Sequence, residues 1–125
     1  MVHRLFDAMR AGDSAGVRSV FHPAAQLVTA RLRDGAASVE VDTVDAFVRA
    51  VGTPHPEVWD ERLRNETVHV DGPLVVVWAE YSFYAGDKFS HCGVDAFQLA
   101  REGAEWRIIS IADTRRRDGC PDTAR

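Results

Sequence analysis

An α+β domain, helices first and a mostly antiparallel sheet after them, is predicted by two features of this 125-residue chain. Apolar residues recur at helical spacing in the first half, most clearly at Val44, Phe47, Val48 and Val51, an i, i+3, i+4, i+7 stripe that must lie on something. From Val58 onward, long runs rich in Val, Ile, Tyr, Phe and Trp are punctuated by Asp71-Gly72, Gly86-Asp87 and Glu102-Gly103 turns. Three helical segments followed by such a meander form two layers around one core.

The elements follow in order. A first helix covers Val2 to Ala11, with Leu5, Phe6 and Met9 on one face, and ends at Gly12. Asp13 caps a shorter helix presenting Val17, Val20 and Phe21, which Pro23 stops. Gln26 to Arg33 reads as a strand, joined through Asp34-Gly35 to a short strand from Ser38 to Val41. Asp42 or Thr43 starts the third helix and Gly52 closes it. After the rigid loop Thr53-Pro54-His55-Pro56, a strand runs from Val58 to Val70 and turns at Asp71-Gly72-Pro73 into a hairpin, Leu74 to Ala85 and Lys88 to Arg101. A last strand follows Glu102-Gly103. One domain is expected over residues 1–114, with a polar tail over 115–125.

The hairpin carries the chemistry. With Gly86-Asp87 at the centre of a two-residue turn, Tyr84 pairs with Phe89, Ser82 with His91, Glu80 with Gly93, Trp78 with Asp95 and Val76 with Phe97. Because alternate side chains point to opposite sides, this register gathers Glu80, His91 and Asp95 onto one aromatic face, with Gly93 clearing space opposite Glu80. Trp106, Ile108 and Ser110 fall on the same face, Ser110 opposite Asp95. The other face, with Val77, Ala79, Tyr81, Phe83, Val94 and Ala96, is then expected to be buried in a symmetric dimer.

Composition narrows the function. A hydrophobic content of 46% in 125 residues is enough for one unaided core. A formal net charge of -4 argues against a general affinity for nucleic acid or anionic membrane, and no apolar run reaches the length of a membrane span. Arg115, Arg116 and Arg117 read as a solvated tail able to salt-bridge a partner subunit, since no aromatics interleave them. Cys92, inside a strand, and Cys120, in the tail, make no CxxC spacing, so reduced thiols in a cytoplasmic protein are expected. No metal and no cofactor are expected, because the one histidine of the cluster is flanked only by carboxylates.

The order helix, Gly-Asp, short helix, FHPAAQLV, helix with FVRAVG, and then VVVWAEYSFYAGDKFSHCGVDAFQLAREGAEWRIISIADT resembles the nuclear transport factor 2-like superfamily, and within it the SnoaL-like, ketosteroid-isomerase-like and putative lumazine-binding groups. The resemblance spans Leu5 to Thr114 and rests on element order and the last three strands. It implies a conical fold, a small-molecule pocket between helices and concave sheet, and a homodimer through the outer face. The isomerases resembled here use a tyrosine on the first helix and an aspartate on the strand after the second; this chain offers Phe6 or Met9, and Val28 or Thr29, so that mechanism is not expected. The histidine and aspartate of SnoaL-type cyclases would have counterparts in His91 and Asp95.

Glu80, His91 and Asp95 are therefore the candidate proton-handling groups, and Phe6, Trp59, Trp78, Ser82, Tyr84, Phe97 and Ser110 the candidate ligand-binding ones. Two carboxylates that close raise one pKa, as a general acid requires. The expected function is that of a pocket protein for an apolar or aromatic small molecule. Three readings stay open: an acid-base isomerase, cyclase or dehydratase, a binding protein in which the same groups only orient a ligand, and a dimeric interaction domain.

Overall fold

The computed structural model describes residues 2–121. Three helices, α1 (Val2–Ala11), α2 (Ser14–Ser19) and α3 (Val44–Gly52), lie against one six-stranded sheet. Its strands are β1 (Phe21–Arg33), β2 (Ala36–Thr43), β3 (Trp59–Asp71), β4 (Leu74–Ala85), β5 (Lys88–Glu102) and β6 (Glu105–Thr114). The spatial order is β2-β1-β6-β5-β4-β3, antiparallel throughout except for β1 beside β6.

Local chemistry sets the helix ends. The Asp13 carboxylate accepts from the Gly16 N–H at 3.0 Å, and the Thr43 hydroxyl accepts from the Ala46 N–H at 3.0 Å, each satisfying an otherwise orphan amide. Helix α1 buries Val2, Leu5, Phe6, Ala8 and Met9, and Phe6 meets Phe97 of β5 edge-to-face at 6.0 Å. Phe47 of α3 meets Phe21 in the same manner at 6.3 Å. The Asp34-Gly35 turn takes positive φ at both residues, 52° and 79°, as a two-residue hairpin turn requires. Pro23 does not end α2: the helix stops at Ser19 and β1 begins at Phe21, with Pro23 inside the irregular stretch between Phe21 and Gln26. A proline has no N–H for the ladder and is tolerated at such a bulge.

The hairpin register differs from expectation by one residue. Ala85 pairs with Lys88 and Tyr84 with Phe89, but the register then shifts, and Phe83 faces His91, Tyr81 faces Gly93, Glu80 faces Val94 and Ala79 faces Asp95. Ser90 is the extra residue of a β-bulge, and beyond it every cross-strand pair is displaced. The helix-covered face therefore carries Val77, Ala79, Tyr81 and Phe83 of β4 with His91, Asp95 and Phe97 of β5. Trp78, Glu80 and Ser82 turn outward with Val94 and Ala96. The patch expected to form a dimer is thus divided between the two faces.

A second irregularity lies on β5 and β6. Asp95 pairs with Asp113, not with Ser110, which pairs with Gln98. Beyond Thr114 the chain continues to Arg116, which exchanges backbone hydrogen bonds with Cys92 at 2.9 and 2.8 Å. Cys92 and Cys120 form a disulfide, which corrects the expectation of reduced thiols. A lone spacing of 28 residues gives no sign of it; the pairing arises because the segment after β6 folds back onto β5. Residues 115–120 are accordingly pinned, not a loose tail.

Gly93 permits this return. A Cβ built there would lie 2.1 Å from the Thr114 carbonyl oxygen, a backbone atom that cannot swing aside. Gly93→Ala should cost about 1–3 kcal/mol or more in urea unfolding and raise amide exchange at Arg116. An unchanged midpoint would show that the strand crossing is not closely packed.

Candidate functional site

A cavity of about 280 Å³ opens between α1, α3 and the concave face of the sheet. Its apolar wall is Leu5, Phe6 and Met9 of α1, Phe47 of α3, and Leu27, Phe97 and Ile111 of the sheet. Its polar wall is Glu61 of β3, Asp95 of β5, Asp113 of β6 and Arg115 just beyond it, with Thr29 and Arg31 of β1 and Glu40 and Asp42 of β2. The register explains this convergence: Thr29, Asp113 and Asp95 are successive cross-strand partners, while Glu61 pairs with Phe83 on the same face.

The three central carboxyls are treated differently. Asp113 is well supplied: the Thr29 hydroxyl donates at 2.7 Å and the Arg115 Nε at 3.0 Å. The Tyr81 hydroxyl donates to the Thr114 carbonyl at 2.5 Å, and its oxygen lies 3.4 Å from Asp113 Oδ2. Burial, followed by the neighbouring charge of Asp113, pushes the Tyr81 phenol well up, so it stays protonated. Burial works against the charge on Arg115, but the adjacent Asp113 outweighs it and the guanidinium is held above its ordinary value.

Asp95 has much less support. It is 4% exposed, and its Oδ2 has no hydrogen-bond partner. Burial raises its pKa to about 6; a hydrogen bond from Glu61 pulls the other way, and the charge on Asp113 adds to the rise. Glu61 keeps part of its surface open to the cavity but is enclosed by protein on its other sides. Burial first, and then the Asp95 charge, lift it well above the ordinary carboxylate range. The hydrogen bond between the two raises Glu61 and lowers Asp95, so the shared proton resides on Glu61 and Asp95 is the acceptor.

Of the residues expected from sequence, Phe6, Asp95 and Phe97 line this cavity. Glu80 lies on the outer face, where Arg64 Nε is 3.6 Å away and the Asn65 amide donates at 3.1 Å. The bulge at Ser90 is the physical reason for its separation from Asp95. His91 shares the Asp95 face but is four residues along the strand, roughly 13 Å by strand rise, and does not reach the cavity. Its ring stacks on Phe83 at 5.1 Å with Nδ1 2.9 Å from Ser90 Oγ; burial first, then Arg115, push its pKa down from 6.5 to about 4, so it is neutral near pH 7.

The other expected ligand contacts lie outside the cavity wall. Ser82 accepts from Arg64 at 2.9 Å, Tyr84 lies under the Arg62 guanidinium at 4.9 Å, and the Ser110 hydroxyl donates to Gln98 at 2.8 Å. Trp78 is 53% exposed on the outer face, and Trp59 stacks on His55 at 4.2 Å. The sequence does not single out Glu61 or Asp113, and it points to Arg115 as part of a solvated tail and to Tyr81 as part of a dimer face. Glu61 sits in a strand dense in charge, where one inward carboxylate has no contrast. The alternation Ile111, Asp113, Arg115 on a single strand edge was the available signal for the other wall.

A family profile described as putative lumazine-binding matches residues 1–112. Similar solved structures include a nuclear transport factor 2-like protein from Cytophaga hutchinsonii, 13% identical with a TM-score of 0.74 over 92% of this chain and 92% of that one. Another, with a cystatin-like fold and from Novosphingobium aromaticivorans, is 13% identical with a TM-score of 0.72, covering 95% of this chain and 79% of that one. A third, from Silicibacter pomeroyi and of unknown function, is 20% identical with a TM-score of 0.66, covering 92% of this chain and 89% of that one. No curated protein matches. At these identities the structures establish the fold alone.

The pKa shifts predict opposing pH effects on stability. Asp95 titrates near 6 folded against 3.8 unfolded, so the folded state binds more protons between those values and stability falls as pH rises through them. Glu61 acts in the same direction. His91 titrates near 4 folded against 6.5 unfolded, so stability rises with pH through that window. Asp95→Asn should remove the falling contribution and exceed the parent at neutral pH by on the order of 1–3 kcal/mol in denaturant melts. A variant less stable than the parent at neutral pH would show that the Asp95 carboxylate is well compensated.

Proposed function

The chain belongs to the putative lumazine-binding family of the nuclear transport factor 2-like superfamily, and on that premise we propose that its cavity takes an apolar or aromatic small molecule and acts on it by general acid-base chemistry. The observation that carries this reading is Asp95: a nearly inaccessible carboxyl with one oxygen unpartnered, in contact with a cavity and beside a protonated Glu61. A buried acid without full compensation costs stability, and such costs concentrate where a ligand or a proton transfer uses the group. Asp95 accepts a proton from the ligand and Glu61 returns one, which is the exchange that an isomerase, cyclase or dehydratase needs. The separation of Glu80 and His91 from the cavity removes them from this chemistry. The apolar wall of Phe6, Phe47 and Phe97 supplies the binding energy for a flat or branched hydrocarbon body.

The outer face supports a homodimer. Leu32, Val39, Val41 and Trp78 are 64–71% and 53% exposed, on the side of the sheet away from α1, where Ala96 and Ala112 keep the surface low. An apolar face of this breadth meets itself favourably about a two-fold axis. No helix among the described residues is long and apolar enough to cross a membrane. A cytoplasmic placement requires the Cys92–Cys120 bond to be transient, because cytosolic thiols are kept reduced.

Native mass spectrometry of the purified protein tests both parts. The expected species is twice the 13.9 kDa protomer carrying a small organic molecule that is released on denaturation and lost with Phe97→Ala. A ligand-free 13.9 kDa monomer at micromolar concentration would contradict the dimer, and side chains closing the cavity in an experimental structure would contradict the pocket.

A further inference from the structure

We propose that the ligand is a cationic amine: an apolar or aromatic body carrying an ammonium group that is seated between the carboxyls of Glu61 and Asp95. The inference rests on the small-molecule reading above and names its chemical class. It comes from the charges of the cavity wall, followed one by one. Two cations reach the wall, and each has an acidic partner: Arg31 is ion-paired with Glu40 at 2.7 Å, although its Nε makes no hydrogen bond, and Arg115 is hydrogen-bonded to Asp113 at 3.0 Å. Asp42 accepts from the Thr43 N–H at 2.9 Å at the start of α3. The wall thus sets five carboxyls against two arginines, each arginine already beside an acid, and Glu61 with Asp95 is the acidic pair that has no cation of its own.

The hydrogen-bond inventory agrees. Asp95 Oδ2 is a buried acceptor with no donor among the described residues, and Asp95 is part of the cavity wall. A carboxylate in that condition calls for a ligand that brings donors, and an ammonium brings three together with the missing positive charge. The α1 wall, Leu5, Phe6 and Met9, offers no polar side chain, and Phe97 beside Asp95 extends the apolar surface, so the remainder of the molecule is apolar. An amine bound this way leaves the Glu61 proton in place, and no bond is made or broken on binding.

Affinity must then follow the protonation of the pair. The titratable groups facing it are Asp113 and Arg115 from β6 and its extension, Tyr81 from β4, the Arg31–Glu40 pair from β1 and β2, and Asp42 from β2; the α1 and α3 residues of the wall are apolar. With the shared proton on Glu61, the pair carries one negative charge when Asp95 is ionised. Below about pH 6 Asp95 is protonated as well, the pair is neutral, and the ammonium loses its counter-charge.

The test is calorimetry, backed by amide shift mapping, with three isosteric probes on the intact protein: phenethylamine, phenethyl alcohol and phenylacetate. At about pH 7.5 the amine should bind roughly tenfold or more tighter than the alcohol, with phenylacetate weakest. The amine's advantage should shrink at least several-fold on going down to about pH 5. Asp95→Asn, checked for folding by its melting curve, removes the pair's negative charge and should bring amine and alcohol to within about threefold of one another. Alcohol or phenylacetate binding in the cavity as tightly as the amine would overturn the amine assignment and leave the pocket reading standing. Absence of cavity-residue shifts with all three probes would overturn both.

Discussion

Glu61 and Asp95 meet inside a wall whose nearest guanidinium, Arg115, is already engaged by Asp113. Two ionised carboxylates at hydrogen-bonding distance repel strongly where water is scarce, and a single proton between them converts the repulsion into attraction. The pair therefore holds a proton near neutral pH, and the hydrogen bond between the two, which raises Glu61 and lowers Asp95, makes Glu61 the donor and Asp95 the acceptor. Asp113, a cross-strand partner of Asp95, instead accepts from Thr29 and Arg115. Neighbouring acids on one concave surface thus find different partners, a guanidinium and a hydroxyl for Asp113 and a second carboxyl for Asp95.

The backbone makes that arrangement possible through two departures from regular pairing. The bulge at Ser90 rotates the β5 pattern so that Asp95 and Phe97 point under the helices and Glu80 of β4 points away. The passage of Thr114 over Gly93 carries the chain on to Arg116, where the ladder with Cys92 resumes and the Cys92–Cys120 bond closes the segment. Arg115, between these anchors, is held where its guanidinium reaches Asp113. A free tail would leave that arginine in solvent and Asp113 without its guanidinium partner.

The helices and turns were legible in sequence because their signals are local. Asp13 and Thr43 cap the helices expected of them, and Asp34-Gly35 and Gly86-Asp87 form the expected turns. Register was legible only as far as the turn could dictate it: Ala85 with Lys88 and Tyr84 with Phe89 pair as expected, and agreement ends at Ser90. Nothing within the hairpin marks that residue as unpaired; the shifted register is the one in which Phe97 meets Phe6 of α1 and His91 stacks on Phe83. One displaced residue sufficed to put Glu80 in the expected site and to hide Tyr81 on the expected outer face. Asp95, Phe6 and Phe97 reach the cavity because neither of the hairpin's possible registers moves α1 or reverses the whole of β5. The disulfide and the role of Arg115 depended on a fold-back after β6 that leaves no trace in spacing.

The shared proton is the centre of this account, and carbon-detected NMR of the Asp and Glu side-chain carboxyls reads it directly. Across a titration, the Asp95 carboxyl carbon should move with a midpoint near 6, while the Glu61 carbon should retain the shift of a protonated acid at neutral pH. Both carbons titrating in the ordinary range of exposed carboxylates, about 4, would contradict it.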